Sequence, residues 1–147
     1  MPSSHTSINL HIVYSTKNRL PLIREDWRER LHSYLGGIVR GMKAVLIAIG
    51  GIEDHVHALV GLRSVHRPDY FIRDLKADSS AWVHDELKKK FAWQKGFAAF
   101  SVSPTAVESV KQYVLNQEEH HRHQTFQEEY IELLKLSGLE YDEKYLW

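Results

Sequence analysis

Two histidines one residue apart, His55 and His57, open the stretch Gly51-Ile52-Glu53-Asp54-His55-Val56-His57-Ala58-Leu59-Val60. Side chains alternate between faces on a β-strand, so both imidazoles point one way and Val56 the other. Their Cα atoms would lie about 7 Å apart, close enough for the rings to close on one metal ion. Alone, a His-x-His pair also fits a half-buried strand with two satisfied polar residues. A second group near residue 113 changes that reading. Tyr113 and Gln117 are four residues apart, hence one turn apart on a helix, bordering the apolar stripe Val107, Val110 and Val114. Taken alone, they also fit a core-edge tyrosine and a surface glutamine. A helix docked over the histidines would instead offer the glutamine carbonyl as a third ligand and the phenol as a nucleophile.

The elements that must position these groups follow from period and punctuation. Ile8, Leu10, Ile12 and Tyr14 alternate with polar residues in a strand over 7–16, with His11 opposite in phase to the apolar set. Trp27, Leu31, Leu35, Ile38 and Met42 keep a helical period over 24–42, weakened at Gly36-Gly37. Ala44 to Ile49 is an apolar run, as in a strand buried on both faces, and should form a hairpin with the strand from His55 to Leu62. A long helix is predicted over 69–90, with Lys88-Lys89-Lys90 near its C-terminal end, then a strand over 97–103. Ser103-Pro104 reads as an N-cap followed by proline, opening a helix to about His121. Thr125 and Glu128 have capping-box spacing, starting a last helix that Gly138 ends. The order is β-α-β-β-α-β, an α+β ferredoxin-like antiparallel sheet with added C-terminal helices. The expectation is one domain over 1–147: a core over 7–103, a tyrosine helix over 104–123, and a last helix and tail over 125–147.

Composition fits a globular protein: 147 residues, 43% apolar and 26% charged. Zero cysteines exclude disulfides and thiolate metal sites, and no apolar run is long enough to span a membrane. With no signal-peptide pattern, a cytoplasmic location is expected. Lys and Arg number 19, as do Asp and Glu. They are unevenly placed: residues 1–100 hold 15 basic and 10 acidic side chains, a balance of +5, whereas 101–147 hold 4 and 9, a balance of −5. A basic body can present a positive groove to phosphates despite zero net charge. Lys17, Arg19, Arg63 and Arg67 lie in loops and are the candidate phosphate contacts.

The stretch from Gly51 to His57, with Tyr113-Val114-Leu115-Asn116-Gln117 on a late helix, resembles the single-tyrosine transposases of the HUH superfamily. These are small insertion-sequence transposases and the REP-associated tyrosine transposases. Residues 11–19, 93–103 and 125–130 add to the resemblance, which covers nearly the whole chain. It implies that His55, His57 and Gln117 bind Mg²⁺ or Mn²⁺ and that Tyr113 is the catalytic nucleophile. It further implies that a homodimer cuts and rejoins single-stranded DNA at hairpin ends through a 5′-phosphotyrosine. Imidazole ligands would also accept Zn²⁺, Co²⁺ or Ni²⁺. His121 is the rival third ligand if Gln117 points away, whereas His120 and His123 read as a solvated or phosphate-contacting helix end. His11 is read as a further residue facing the site, and Asp54 either orients a histidine or caps the hairpin.

Two other function classes fit less well. A phosphodiesterase with alternating histidines would want a third one at the position of Leu59. A non-catalytic nucleic-acid-binding module on the same sheet would expose aromatic pairs where this chain has His55 and His57. A domesticated transposase that keeps cleavage but not mobility shares every one of these residues.

Overall fold

The computed structural model describes residues 3–147. Strands β1 (Ile8–Ser15), β2 (Val45–Gly51), β3 (His55–Leu62) and β4 (Ala98–Val102) form one antiparallel sheet in the order β2-β3-β1-β4. Helix α1 (Glu25–Gly41) joins β1 to β2, and α2 (Pro68–Glu86) joins β3 to β4. This is the ferredoxin-like order that the sequence predicts.

Alternation along the strands divides the two faces. Ile12 and Tyr14 of β1 and Val56, Ala58 and Val60 of β3 pack under Trp27, Leu31 and Leu35 of α1 and Phe71, Ile72 and Leu75 of α2. His11 and Val13 on β1, and His55, His57 and Leu59 on β3, therefore share the opposite face. That face is covered by helices from the C-terminal third. Helix α3 (Val107–Leu115) lays Val107, Val110 and Val114 against Ala48 and Leu59, and α5 (Phe126–Leu136) lays Phe126, Tyr130 and Leu134 against Val13, Ala98 and Phe100. The histidines lie between these two apolar seams.

Close docking of α3 depends on Gly50. A Cβ built there would stand 1.8 Å from the Val114 carbonyl oxygen, a backbone atom that no rotamer change can move. We expect Gly50→Ala to cost about 3 kcal/mol by forcing sheet and helix apart, read as a lower midpoint in urea unfolding.

Four elements differ from the sequence expectation. Strand β2, read as buried on both faces, is an edge strand whose first residue, Val45, is exposed. Helix α2 ends at Glu86, not near Lys90. Lys88 takes a left-handed φ of 55°, and the chain turns to bury Phe91 and Trp93 in the main core. The Ser103 side chain does not cap a helix; its hydroxyl pairs with that of Thr105 (3.1 Å), and Pro104–Ala106 form a single 3₁₀ turn before α3. The predicted tyrosine helix is also interrupted. Asn116 leaves helical geometry (φ −104°, ψ 29°), separating α3 from the short α4 (Gln117–His120). The capping box at Thr125 and Glu128 is present as expected, and Gly138 follows α5 with a φ of 68°.

His32 on α1 gives this fold an acid-sensitive point. Burial, then the Arg28 charge, lower its pKa from 6.5 to about 4, and its Nε2 is buried without a partner. The folded state therefore resists protonating the ring. Its contribution to stability is complete above pH 6.5 and is lost as pH falls toward 4, by about 1.4 kcal/mol per pH unit. Thermal midpoints measured across that window should fall less steeply for His32→Gln.

Candidate active site

Each imidazole of the pair is oriented through its second nitrogen. The His55 Nδ1 donates to Asp54 Oδ1 at 2.7 Å, so Asp54 holds that ring from the residue before the strand. The His57 Nδ1 meets His11 Nε2 at 2.7 Å, and the two rings stack with centroids 5.0 Å apart. Both Nε2 atoms then point toward the helices that cover this face. His55 and His57 have no exposed surface, and Gln117 and Glu129 are 1% exposed.

The break at Asn116 turns Gln117 inward. Its Nε2 donates to the Tyr113 carbonyl at 3.1 Å, which leaves Oε1 facing His55 Nε2 (3.1 Å) and His121 Nε2 (3.0 Å). Helix α5 adds Glu129, whose Oε1 lies 3.0 Å from His57 Nε2, 3.1 Å from His121 Nε2 and 3.5 Å from His55 Nε2. Its other oxygen, Oε2, accepts the Tyr113 hydroxyl and lies 3.2 Å from His120 Nε2. Tyr113, His55, His57 and Gln117 are thus together in one chain, with the phenol ring centroid 5.7 Å from that of His57.

This packing leaves lone pairs facing lone pairs. Asp54 and the Gln124 carbonyl are acceptors, so His55 and His121 carry their ring proton on Nδ1 when neutral. Their Nε2 lone pairs then point at Gln117 Oε1 and Glu129 Oε1, which are also acceptors. Such an arrangement, buried, is satisfied by a proton on His121 Nε2 or by a metal ion that takes its place. One ligand atom from each of His55, His57, His121 and Glu129 fits within 4.8 Å of the others. Imidazole nitrogens joined by a carboxylate and an amide oxygen suit a divalent transition ion or Mg²⁺.

Residues 4–117 match the family described as "Transposase IS200 like". The chain belongs to that family. No curated protein sequence matches it. A crystal structure of a candidate transposase from Deinococcus radiodurans R1 is similar at a TM-score of 0.64 and 22% identity, covering 80% of this chain and 95% of that one. A REP-associated tyrosine transposase bound to a REP hairpin is similar at 0.57 and 13% identity, covering 78% and 70%. At those identities the two structures support the fold. The family match includes His55, His57, Tyr113 and Gln117 and ends there, so His121 and Glu129 of this IS200-like transposase lie beyond the matched span.

Electrostatics distinguish the buried groups. Burial lowers the His57 pKa to about 4 against the pull of Glu129, and burial with the His57 charge lowers that of His11 to about 3. Both rings are therefore neutral near pH 7, the state in which imidazole binds metal. Burial works to lower the His121 pKa, but the hydrogen bond and charge of Glu129, with the Gln124 carbonyl and the Asp54 charge, together move it upward. Burial works to raise the Glu129 carboxyl, but hydrogen bonds from His121 and His57 hold it well below the ordinary range. Burial, then Glu129, push the Tyr113 phenol above its ordinary value.

Not every candidate joins the cluster. Lys17 and Arg19 lie in a 3₁₀ turn at the same end of the sheet as His55, which pairs with Ser15. Arg63 and Arg67 lie beyond the far end of β3, about 23 Å away by strand rise, and Arg67 is bound to Asp69 at 2.9 Å. His123 is exposed, whereas His120, read from sequence as a solvated helix end, reaches Glu129 and lies 3.5 Å from the Tyr113 hydroxyl. Glu129 escaped the sequence reading. Its signal is a carboxylate among Phe126, Tyr130 and Leu133, inside the apolar stripe of an amphipathic helix.

Proposed function

We propose that this family member is a metal-dependent single-stranded DNA transposase that nicks and rejoins strands through a 5′-phosphotyrosine on Tyr113. The observation that carries the reading is the convergence of buried acceptors from His55, Gln117, His121 and Glu129 beside the phenol. His55, His57 and Glu129 would hold the ion, with Gln117 and His121 as further donors. An ion held by these residues would supply the positive charge that polarises a phosphate.

The protein's own groups account for the rest of the chemistry. Glu129 Oε2 holds the Tyr113 hydroxyl, fixing where its oxygen can meet a phosphorus. The phenol is neutral at rest, and its acidity rises as its oxygen bonds to phosphorus, so Oε2 is placed to take the proton. The phosphorus–O3′ bond breaks, the departing oxygen takes a proton from water to become a 3′-hydroxyl, and Glu129 returns its proton to solvent. One phosphodiester replaces another, so the step reverses without an external energy source. Asp54 and His11 keep the rings of His55 and His57 in register. Hairpin recognition at DNA ends, a homodimeric assembly and action in the cytoplasm complete the proposal. The hairpin-bound state of the REP-associated relative supports the first of these.

The test is incubation with a single-stranded hairpin oligonucleotide and Mn²⁺ or Mg²⁺, followed by a denaturing gel. A metal-dependent protein–DNA band with release of a 3′-hydroxyl fragment is expected. Absence of any covalent band across a panel of hairpins and both ions would overturn the proposal.

A further inference from the structure

A hollow with a volume of about 470 Å³ lies between Tyr130 of α5, the 94–97 segment and the C-terminal residues Tyr145 to Trp147. Its lining residues include Lys17 and Lys95 and, among the described residues, no Asp or Glu. Phe97 and Trp147 line it while remaining 40% and 42% exposed. Part-exposed aromatic rings beside two lysines suit a ligand that is planar, aromatic and anionic at once.

The walls of the hollow are built. The Lys76 ammonium donates to three successive carbonyls, those of Gln94 (2.6 Å), Lys95 and Gly96 (3.1 Å each). Gln94 is also tied to Ser15 of β1, accepting from its backbone N–H at 2.6 Å and donating to its carbonyl at 2.9 Å. On the opposite rim, Asn18 and Arg19 hold consecutive left-handed φ angles of 57° and 56° without a glycine. Such strain persists where the surrounding structure demands it and collects at functional sites. The Arg19 guanidinium backs the Trp147 ring at 4.9 Å. Trp147 in turn meets Phe126 (centroids 6.3 Å apart), which stacks on His55 at 4.4 Å. The hollow is one aromatic ring removed from the metal-site histidine.

We propose that this hollow receives one unpaired nucleotide of the strand being cut. Its base stacks on Phe97 and Trp147, and its phosphate meets Lys17 and Lys95. The inference rests on the reading of single-stranded DNA as substrate and adds a position where one nucleotide is gripped away from the scissile phosphate.

The experiment uses the full chain and a fluorescein-labelled hairpin with single-stranded thymidine flanks, made abasic at each flank position in turn. Anisotropy titrations should show one position where base loss weakens wild-type binding about tenfold, as expected for one stacked base. Phe97→Ala should weaken the intact oligonucleotide comparably and abolish sensitivity at that position. Lys95→Ala should weaken all oligonucleotides and lower the salt slope by about one. Phe97 is part-exposed, and a thermal scan of each variant checks its fold. Three results would overturn the inference: no position-dependent loss, a Phe97→Ala profile matching wild type, or free thymidine 5′-monophosphate competing as well as the strand. Covalent adduct formation, run in parallel, separates the two readings. If the adduct persists without position dependence, the hollow falls and the Tyr113 reading stands; if wild type neither binds nor forms adduct, both fall.

Discussion

Tyr113→Phe eliminates the covalent protein–DNA band, with a loss of at least about a thousandfold, while binding to hairpin DNA stays close to wild type. The substitution removes one oxygen and keeps the ring that packs edge-on to His57 and His11. No other hydroxyl is described beside Glu129 Oε2, and the remaining neighbour there, His120, would be a different nucleophile with a different product bond. The fold should tolerate the change, because Glu129 keeps its contacts to His57 and His121. A denaturing gel reads the adduct, and anisotropy with the same oligonucleotide reads binding. Equal adduct yield from Tyr113→Phe would remove the phenol from the chemistry.

Glu129→Gln is expected to separate metal binding from folding. Glutamine has nearly the same shape but replaces one acceptor oxygen with a donor amide. Above the histidine titration range and without metal, that amide can donate to the His57 or His121 lone pair, relieving the clash of acceptors. The metal-free thermal midpoint of the variant should therefore equal or exceed that of wild type. A metal ligand is lost at the same time. Affinity for Mn²⁺ should fall about a hundredfold, and the metal-induced rise in midpoint should shrink accordingly. Calorimetric titration and thermal scans with and without Mn²⁺ measure both effects. Unchanged affinity would leave His55, His57 and Gln117 as the complete ligand set, as the sequence resemblance implied.

Much of the site was legible because it depends on local periodicity. A strand places His55 and His57 on one face whatever lies elsewhere in the chain, and opposite phase on its own strand put His11 on that face too. Gln117 was legible as a partner of Tyr113, though by a different route. Its amide reaches back to the Tyr113 carbonyl across a helix break rather than along an unbroken helical face. The four loop cations looked equivalent in sequence. Strand direction separates them, placing Lys17 and Arg19 at the His55 end and Arg63 and Arg67 at the other.

The order of strands and helices, the paired imidazoles and the capping box at Thr125 follow from contacts between near neighbours, which the sequence alone determines. Only the tertiary structure could assign Glu129, because its value lies in reaching a histidine 72 positions away. That reach depends on how α5 rotates and seats on Val13, Ala98 and Phe100, and on α3 approaching the sheet over a glycine at position 50. Such registers are decided by the shapes of surfaces meeting across the core, to which periodicity within one segment is blind.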